Sequence, residues 1–225
     1  MSGINIWLAP FLASKGYTTL ALNKRNSGKL FYKSLFGWCK ADISSAISFL
    51  ETNEGLRRVV LVGHSLGAVE SVFYAGKTHD SRVVSLVLLG APLWPGDIID
   101  RKKLAVARRH ARDRTFMIDD GDGMPVTARH YLSYWAPGSD HDIRKWIGRV
   151  RVPILNLAHE IPLNRFCNEE ASIGVASLAA EGGSVDTITI RGAPHSFSGH
   201  LHETESEILN WMERTPHLRL PAEAQ

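Results

Sequence analysis

The sequence has few cysteines and little net charge, and both shortages exclude classes of protein. Its 225 residues include two cysteines, Cys39 and Cys167, which stand far apart and without the spacing of a structural metal site. Two isolated cysteines do not form a disulfide framework, so a reducing, cytoplasmic location is expected. The formal net charge of +3 is too small by itself to indicate a nucleic-acid-binding surface.

Long apolar runs are also lacking. No segment approaches the roughly 20 apolar residues that a membrane-spanning helix needs. Residues 4–13 are apolar, but they lack a basic flank and contain Pro10, which argues against a signal peptide. With 44% hydrophobic and 22% charged residues, the composition is that of one globular domain over residues 1–225.

Helical and strand-like segments alternate along the chain. Apolar residues at helical spacing predict helices, and short continuous apolar runs predict strands that are buried on both faces. The predicted helices are 4–15, 42–50 (with Asp42 as the N-cap), 65–76, 101–114, 169–180 and 201–212, and the predicted strands are 17–22, 58–62, 83–89, 153–157 and 187–190. This alternation predicts an α/β fold in which helices cover both faces of a mostly parallel sheet.

Residues 91–150 interrupt this alternation. They include several prolines and no clear strand, and a stretch this long is usually an insertion such as a lid or cap. Its basic part, Arg101–Arg114, is interpreted as a solvated helix face, and a patch for an anionic substrate or a membrane surface is the alternative. The stretch Asp119–Gly123 lacks the distal glutamate and the spacing of an EF-hand loop, which favours an acidic turn over a calcium site.

A G-x-S-x-G motif marks the first candidate catalytic residue. Gly63-His64-Ser65-Leu66-Gly67 directly follows a predicted strand and opens a predicted helix, the setting of a nucleophile elbow. Both glycines are expected because the strained turn leaves no room for a Cβ two residues either side of the serine. Ser65 is therefore the predicted nucleophile, and the backbone N–H of Leu66 is a predicted oxyanion donor at the helix N-terminus.

The predicted base is a late histidine, because a serine hydroxyl is a poor nucleophile until its proton is removed. His195 ends the stretch Gly192-Ala193-Pro194-His195, between the last predicted strand and the last predicted helix. The serine precedes the histidine along the chain, the order that accompanies a nucleophile elbow. Among the ten histidines, His200 and His202 fall at a helix start, which favours a solvated role. His64 is expected to point away from the reaction face of Ser65 and to pack or hydrogen-bond locally.

From Trp7 to Met212 the chain resembles the α/β-hydrolase superfamily, through the elbow, the insertion and the late histidine. The resemblance implies hydrolysis of a small-molecule ester, thioester or amide through an acyl-enzyme on Ser65, with no metal or organic cofactor. It also implies an acid after strand 153–157, where Glu160 in Ala158-His159-Glu160 is the predicted residue. Asp97, beyond strand 83–89, is the alternative acid. The fold hosts many reactions, so the substrate stays open.

The resemblance departs from the family pattern at the start of the chain. The family usually has three strands before the first helix, and a turn after the third strand supplies the second oxyanion donor. The sequence begins directly at that helix, which implies a shortened fold with a gap between strands 17–22 and 58–62. The altered acid loop and the missing turn also support a second hypothesis, a non-catalytic hydrolase-fold protein that binds a ligand or partner. Transfer or lyase chemistry on the same residues is a third.

Overall fold

The computed structural model describes residues 3–93, 100–120, 123–164, 167–180 and 182–219. The helices are α1 (Gly3–Ser14), α2 (Trp38–Glu54), α3 (Leu66–Thr78), α4 (Arg101–Arg109), α5 (Ala128–Trp135), α6 (Glu169–Ala179) and α7 (Leu201–Arg214). The strands are β1 (Val59–His64), β2 (Val83–Leu89), β3 (Met117–Asp119), β4 (Pro125–Thr127), β5 (Ile154–His159) and β6 (Val185–Ile190). Short 3-10 helices lie at Gly28–Lys33, Ile143–Lys145, Ile147–Arg149 and Pro216–Leu218.

The main sheet has four parallel strands in the order β1-β2-β5-β6, as the alternation of elements predicts. Successive side chains of a strand point to opposite faces, and β2 shows this in its packing. Leu86 and Leu88 belong to the core that includes residues of α2, α3 and α6. Val87 and Leu89 belong to the core that includes residues of α1 and α7. The sheet is thus covered by helices on both faces.

The parallel arrangement brings four loops to one edge of the sheet. The carboxyl ends of parallel strands lie together, and in open α/β sheets this is where ligands bind. Ser65 follows β1, Gly90 follows β2, Glu160 follows β5, and the segment that holds His195 follows β6. The fold therefore gathers the candidate site from segments that are far apart in the sequence.

The predicted strand 17–22 is absent: residues 17–24 form neither helix nor strand. A strand needs a hydrogen-bonded neighbour, and none of the described strands pairs with this segment. β1 is consequently an edge strand of the described sheet, and Val62 on it is 37% exposed.

The N-cap predicted at Asp42 is also wrong. α2 begins at Trp38, with Gly37 at the N-cap, so Asp42 lies inside the helix. Its carboxylate accepts hydrogen bonds from the backbone N–H and the guanidinium of Arg25. An aspartate that resembles a cap in the sequence thus holds the loop before α2.

The described part of the insertion at 91–150 contains two strands, where the sequence predicts none. β3 and β4 form an antiparallel hairpin, and α4 ends at Arg109 rather than at 114. The hairpin, α4 and α5 share a small core of their own (Leu104, Ala107, Ile118, Val126, Ala128 and Tyr131). The turn between the strands begins at Asp120, which exchanges hydrogen bonds with Met124, as expected for an acidic turn. Residues 121 and 122 lie outside the described part.

The insertion is joined to the main body by its second half. Tyr134, Trp146 and Ile147 are buried in the same core as α3 and α6.

None of the helices in the described residues combines the length and apolar character that crossing a bilayer requires.

Candidate active site

Ser65 occupies a strained turn between β1 and α3. Its φ of 54° and ψ of −120° lie in a region that residues with a side chain rarely adopt. Its backbone N–H donates to the Leu89 carbonyl at 2.9 Å, which fastens the turn to the end of β2. This is the backbone geometry expected of a nucleophile elbow.

The two glycines of the motif differ in why they are needed. A Cβ on Gly63 would lie 2.6 Å from the backbone nitrogen of Ala68 and would overlap the Gly67 carbonyl. Only glycine fits at position 63, as predicted. A Cβ on Gly67 would meet nothing within 4 Å, so the steric reason expected there does not apply.

Leu66 is the first residue of α3. The first four N–H groups of a helix have no acceptor within that helix, and they favour negative charge. The backbone N–H of Leu66 is therefore a candidate oxyanion donor, as the motif predicts.

His195 lies beside the elbow. Its ring centroid is 4.6 Å from that of His64, and its carbonyl oxygen accepts a 2.8 Å hydrogen bond from His64 Nε2. The His64 ring therefore packs, as the sequence allows, but its hydrogen bond is not local and reaches a residue 131 positions away. A Cβ on Gly90 would lie 2.9 Å from Nδ1 of His195, so the end of β2 leaves just enough room for the ring. No hydrogen bond joins Ser65 and His195 directly.

The hydrogen-bonding partner of His195 is a second histidine. Nε2 of His159, the last residue of β5, lies 3.0 Å from Nδ1 of His195. Sγ of Cys167 lies 3.1 Å from the same nitrogen, and its thiol donates to the Gly90 carbonyl. Sγ also lies 3.7 Å from Nε2 of His195, so the thiol packs against the ring face. The group that accepts from Nδ1 is thus an imidazole rather than a carboxylate.

This arrangement fixes the tautomer of both rings. Nδ1 of His159 lies 2.8 Å from the Ile161 carbonyl, which can only accept, so Nδ1 carries the proton and Nε2 a lone pair. That lone pair accepts from Nδ1–H of His195. Neutral His195 therefore keeps its own lone pair on Nε2, the form that a general base requires.

Burial keeps the residues around His195 neutral at pH 7. It lowers the pKa of His195 to about 4, with smaller contributions from the neighbouring His64 and His159. Burial likewise lowers the pKa of His159 and raises the pKa of the Cys167 thiol to about 12. Cys167 is therefore a thiol and not a reactive thiolate.

Glu160 does not lie where the predicted acid should be. One carboxylate oxygen accepts from the Arg191 guanidinium at 2.8 Å, and the other accepts from the Gly192 N–H at 2.7 Å. These bonds, that of Gly192 foremost, lower the pKa of Glu160. Residues of a strand end alternate in direction, so His159 turns inward to His195 while Glu160 turns to the surface. The alternative acid, Asp97, lies outside the described residues.

His159 and Cys167 are the site residues that the sequence did not single out. His159 carries a weak signal, because it ends a buried strand at the edge where the other loops meet. Cys167 carries none, since it lies on an irregular segment before α6 and reaches His195 only through the fold.

The fold and the elbow together define an α/β-hydrolase-type protein. Residues 2–123 match the family model described as "alpha/beta hydrolase fold", and the chain belongs to this family. A search of curated proteins found no match.

Solved structures agree with the fold. Est1E from Butyrivibrio proteoclasticus, solved with ferulic acid, has a TM-score of 0.71 at 15% identity, covering 94% of this chain and 82% of that one. The α/β hydrolase GrgF from Penicillium sp. sh18 has a TM-score of 0.74 at 13% identity, covering 94% and 84%. A monoacylglycerol lipase from Paleococcus ferrophilus has a TM-score of 0.60 at 16% identity, covering 80% and 75%. At such identities the likeness establishes the fold alone.

Proposed function

We propose that the protein is a serine hydrolase that cleaves a small or medium-sized ester in the cytoplasm, with Ser65 as nucleophile and His195 as base. The observation that carries the proposal is the strained backbone of Ser65 in an elbow whose His64 packs against a neutral histidine of fixed tautomer, His195. A backbone strained in this way persists only where the surroundings impose it, and such strain clusters at functional sites.

The reaction follows from the groups at the carboxyl edge of the sheet. Nε2 of His195 accepts the Ser65 hydroxyl proton as Oγ attacks the ester carbonyl. The backbone N–H of Leu66 donates to the oxyanion that forms, and the imidazolium then gives its proton to the leaving alcohol. Water, deprotonated by the same nitrogen, hydrolyses the acyl-enzyme and regenerates the serine.

His159 performs one of the two tasks that a carboxylate usually performs. It orients His195 and holds the proton on Nδ1, so the tautomer is correct. It carries no negative charge, so it stabilises the imidazolium of the transition state less than a carboxylate does. We therefore expect slow turnover, most readily detected with an activated ester.

The proposal is tested by labelling with a fluorophosphonate probe, which reacts with an activated serine whatever the natural substrate. The wild-type chain should be labelled, and Ser65→Ala should lose both labelling and p-nitrophenyl ester hydrolysis while its circular dichroism stays the same. Ser177→Ala is the matched control, because that serine is exposed and bonds only within α6. Labelling that persists in Ser65→Ala would exclude Ser65 as the nucleophile.

The absence of a carboxylate partner for His195 among the described residues favours a second candidate, a ligand-binding protein without catalysis. That candidate predicts an unlabelled Ser65 together with a thermal shift on binding a small ester or acid. A labelled Ser65 would exclude it.

A further inference from the structure

His159, Cys167 and His195 bring three metal-binding side chains together at one point. Nε2 of His159 and Nδ1 of His195 lie 3.0 Å apart. Sγ of Cys167 lies 3.1 Å from Nδ1 of His195 and 3.8 Å from Nε2 of His159. His159 and Cys167 are buried and His195 is partly exposed, so the cluster lies at the inner end of a site that solvent can reach. It is the one such group of histidine, cysteine and acidic side chains found in the described part of the chain.

These distances are close to those of a tetrahedral zinc site. With Zn–N near 2.05 Å and Zn–S near 2.3 Å, tetrahedral angles place two nitrogens about 3.3 Å apart and a nitrogen and a sulfur about 3.5 Å apart. The three ligand-atom distances are within about half an ångström of these values. Sγ of Cys167 also lies 3.7 Å from Nε2 of His195, over the face of that ring, so the His195 ring must turn to bring its Nδ1 lone pair onto the cation. Two imidazoles and a thiolate also form a borderline-soft ligand set, which selects Zn²⁺ over Mg²⁺ or Ca²⁺.

The hydrogen bonds behind the cluster are those of a metal ligand. A metal-binding histidine usually donates its other ring N–H to a carbonyl or carboxylate, which fixes the tautomer and aims the lone pair. His159 does this through Nδ1–H and the Ile161 carbonyl, so its Nε2 lone pair already points into the cluster. The thiol proton of Cys167, which is lost when a cation binds, lies in the hydrogen bond to the Gly90 carbonyl.

We infer that His159, Cys167 and His195 form a binding site for a thiophilic divalent cation such as Zn²⁺. Binding replaces the thiol proton of Cys167, which passes to solvent, and uses the lone pairs of His159 Nε2 and His195 Nδ1. Three protein ligands leave a fourth position for water.

The cation and the proposed reaction exclude each other, a consequence that rests on the proposed function. When Nδ1 of His195 binds the cation, the proton of the neutral ring moves to Nε2. That nitrogen then has no lone pair for the Ser65 proton. Metal binding should therefore switch off Ser65 reversibly.

Cobalt spectroscopy tests the site without reference to activity. Co²⁺ titrated into the full chain, freed of metal beforehand, should bind at one equivalent with d–d bands of tetrahedral type and a thiolate charge-transfer band. Cys167→Ser should remove the charge-transfer band and weaken Zn²⁺ binding by more than the roughly 10- to 100-fold that losing an outer partner causes. His159→Ala should weaken binding similarly.

Cys39→Ser is the matched control. Cys39 is also buried, but it lies in α2 and belongs to the core that α2 shares with α3 and α6. It should keep the full spectrum. No saturable binding, or a charge-transfer band that persists in Cys167→Ser, would overturn the site. Cys167→Ser keeps a hydroxyl for the Gly90 carbonyl, and circular dichroism verifies its fold.

The link to catalysis has a separate readout. One equivalent of Zn²⁺ should abolish fluorophosphonate labelling of the wild-type chain, and EDTA should restore it. Labelling that continues with bound metal would overturn the mutual exclusion alone. If the metal-free chain is not labelled, the proposed function fails, while the cobalt spectrum still decides the metal site.

Discussion

Nε2 of His159 and Nδ1 of His195 lie 3.0 Å apart, in the relationship that a catalytic carboxylate and histidine usually have. His159 is the last residue of β5, and His195 lies in the segment that follows β6. These two strands are neighbours in the sheet. Because strand ends in register bring their following loops together, the contact is set by the parallel pairing rather than by local sequence. It gives His195 a defined tautomer without placing a negative charge beside it.

The first prediction concerns this contact. His159→Ala removes the acceptor for Nδ1–H, so His195 loses its tautomer and orientation. We expect turnover of an activated ester, measured with protein freed of metal, to fall by about 10²- to 10⁴-fold, the usual contribution of a positioned general base. Glu160→Gln is the control and should change turnover little, because Glu160 binds Arg191 and Gly192 instead. A large loss in Glu160→Gln with little in His159→Ala would restore Glu160 as the acid.

The second prediction compares the two glycines of the elbow. Gly63→Ala forces a Cβ against backbone atoms that cannot turn aside, so we expect a loss of about 1 to 3 kcal/mol in the free energy of unfolding and no probe labelling. Gly67→Ala adds a Cβ in open space within a helix, where alanine is favoured over glycine by about 1 kcal/mol. Urea denaturation should show it to be as stable as the wild type or more so. Equal destabilisation by both substitutions would contradict this account.

The third prediction concerns pH and an ion pair at the amino end of β2. Asp80 accepts hydrogen bonds from the Arg82 guanidinium at 2.7 and 2.9 Å and from the Tyr74 hydroxyl at 2.6 Å. These contacts, Arg82 foremost, hold the pKa of Asp80 well below its ordinary value. A depressed carboxyl pKa stabilises the folded state above the unfolded pKa of about 4 and loses that contribution as the pH falls.

Asp80→Asn should therefore lower the free energy of unfolding by about 1 to 3 kcal/mol at pH 7. The difference from the wild type should shrink as the pH falls below about 4. Glu54→Gln is the control, because Glu54 is exposed and makes no hydrogen bond or ion pair with the described residues. A difference that stays constant from pH 7 to 3 would mean that the charge of Asp80 is not the cause.

The fourth prediction concerns the edge strand β1. Unpaired N–H and C=O groups with an exposed apolar side chain favour edge-to-edge association, and lysine on such an edge opposes it. Val62→Lys should slow aggregation in a turbidity assay at 37 °C while changing stability by less than about 0.5 kcal/mol. Ile173→Lys, which replaces a more exposed apolar residue on α6, should have a smaller effect. Equal effects would show that any added surface charge slows association and that the strand edge has no special part in it.

Local patterns in the sequence predict the parts of this protein that depend on neighbouring residues. The buried strands β2 and β5 are continuous apolar runs, and the elbow is a five-residue motif whose steric requirement at Gly63 is met within the motif itself. The order of strands and helices then restricts the sheet to a parallel arrangement. These features place Ser65 and His195 at one edge without any structure.

Tertiary pairing decided the rest. Residues 17–22 have the composition of a strand, but none of the described strands pairs with them. Asp42 resembles an N-cap, but it serves Arg25 across a loop. The partner of His195 depended on which of two adjacent residues at the end of β5 faces inward. His159 does and Glu160 does not, because the alternation of a strand allows only one of them to reach the site, and Cys167 enters from a segment whose path no local pattern sets.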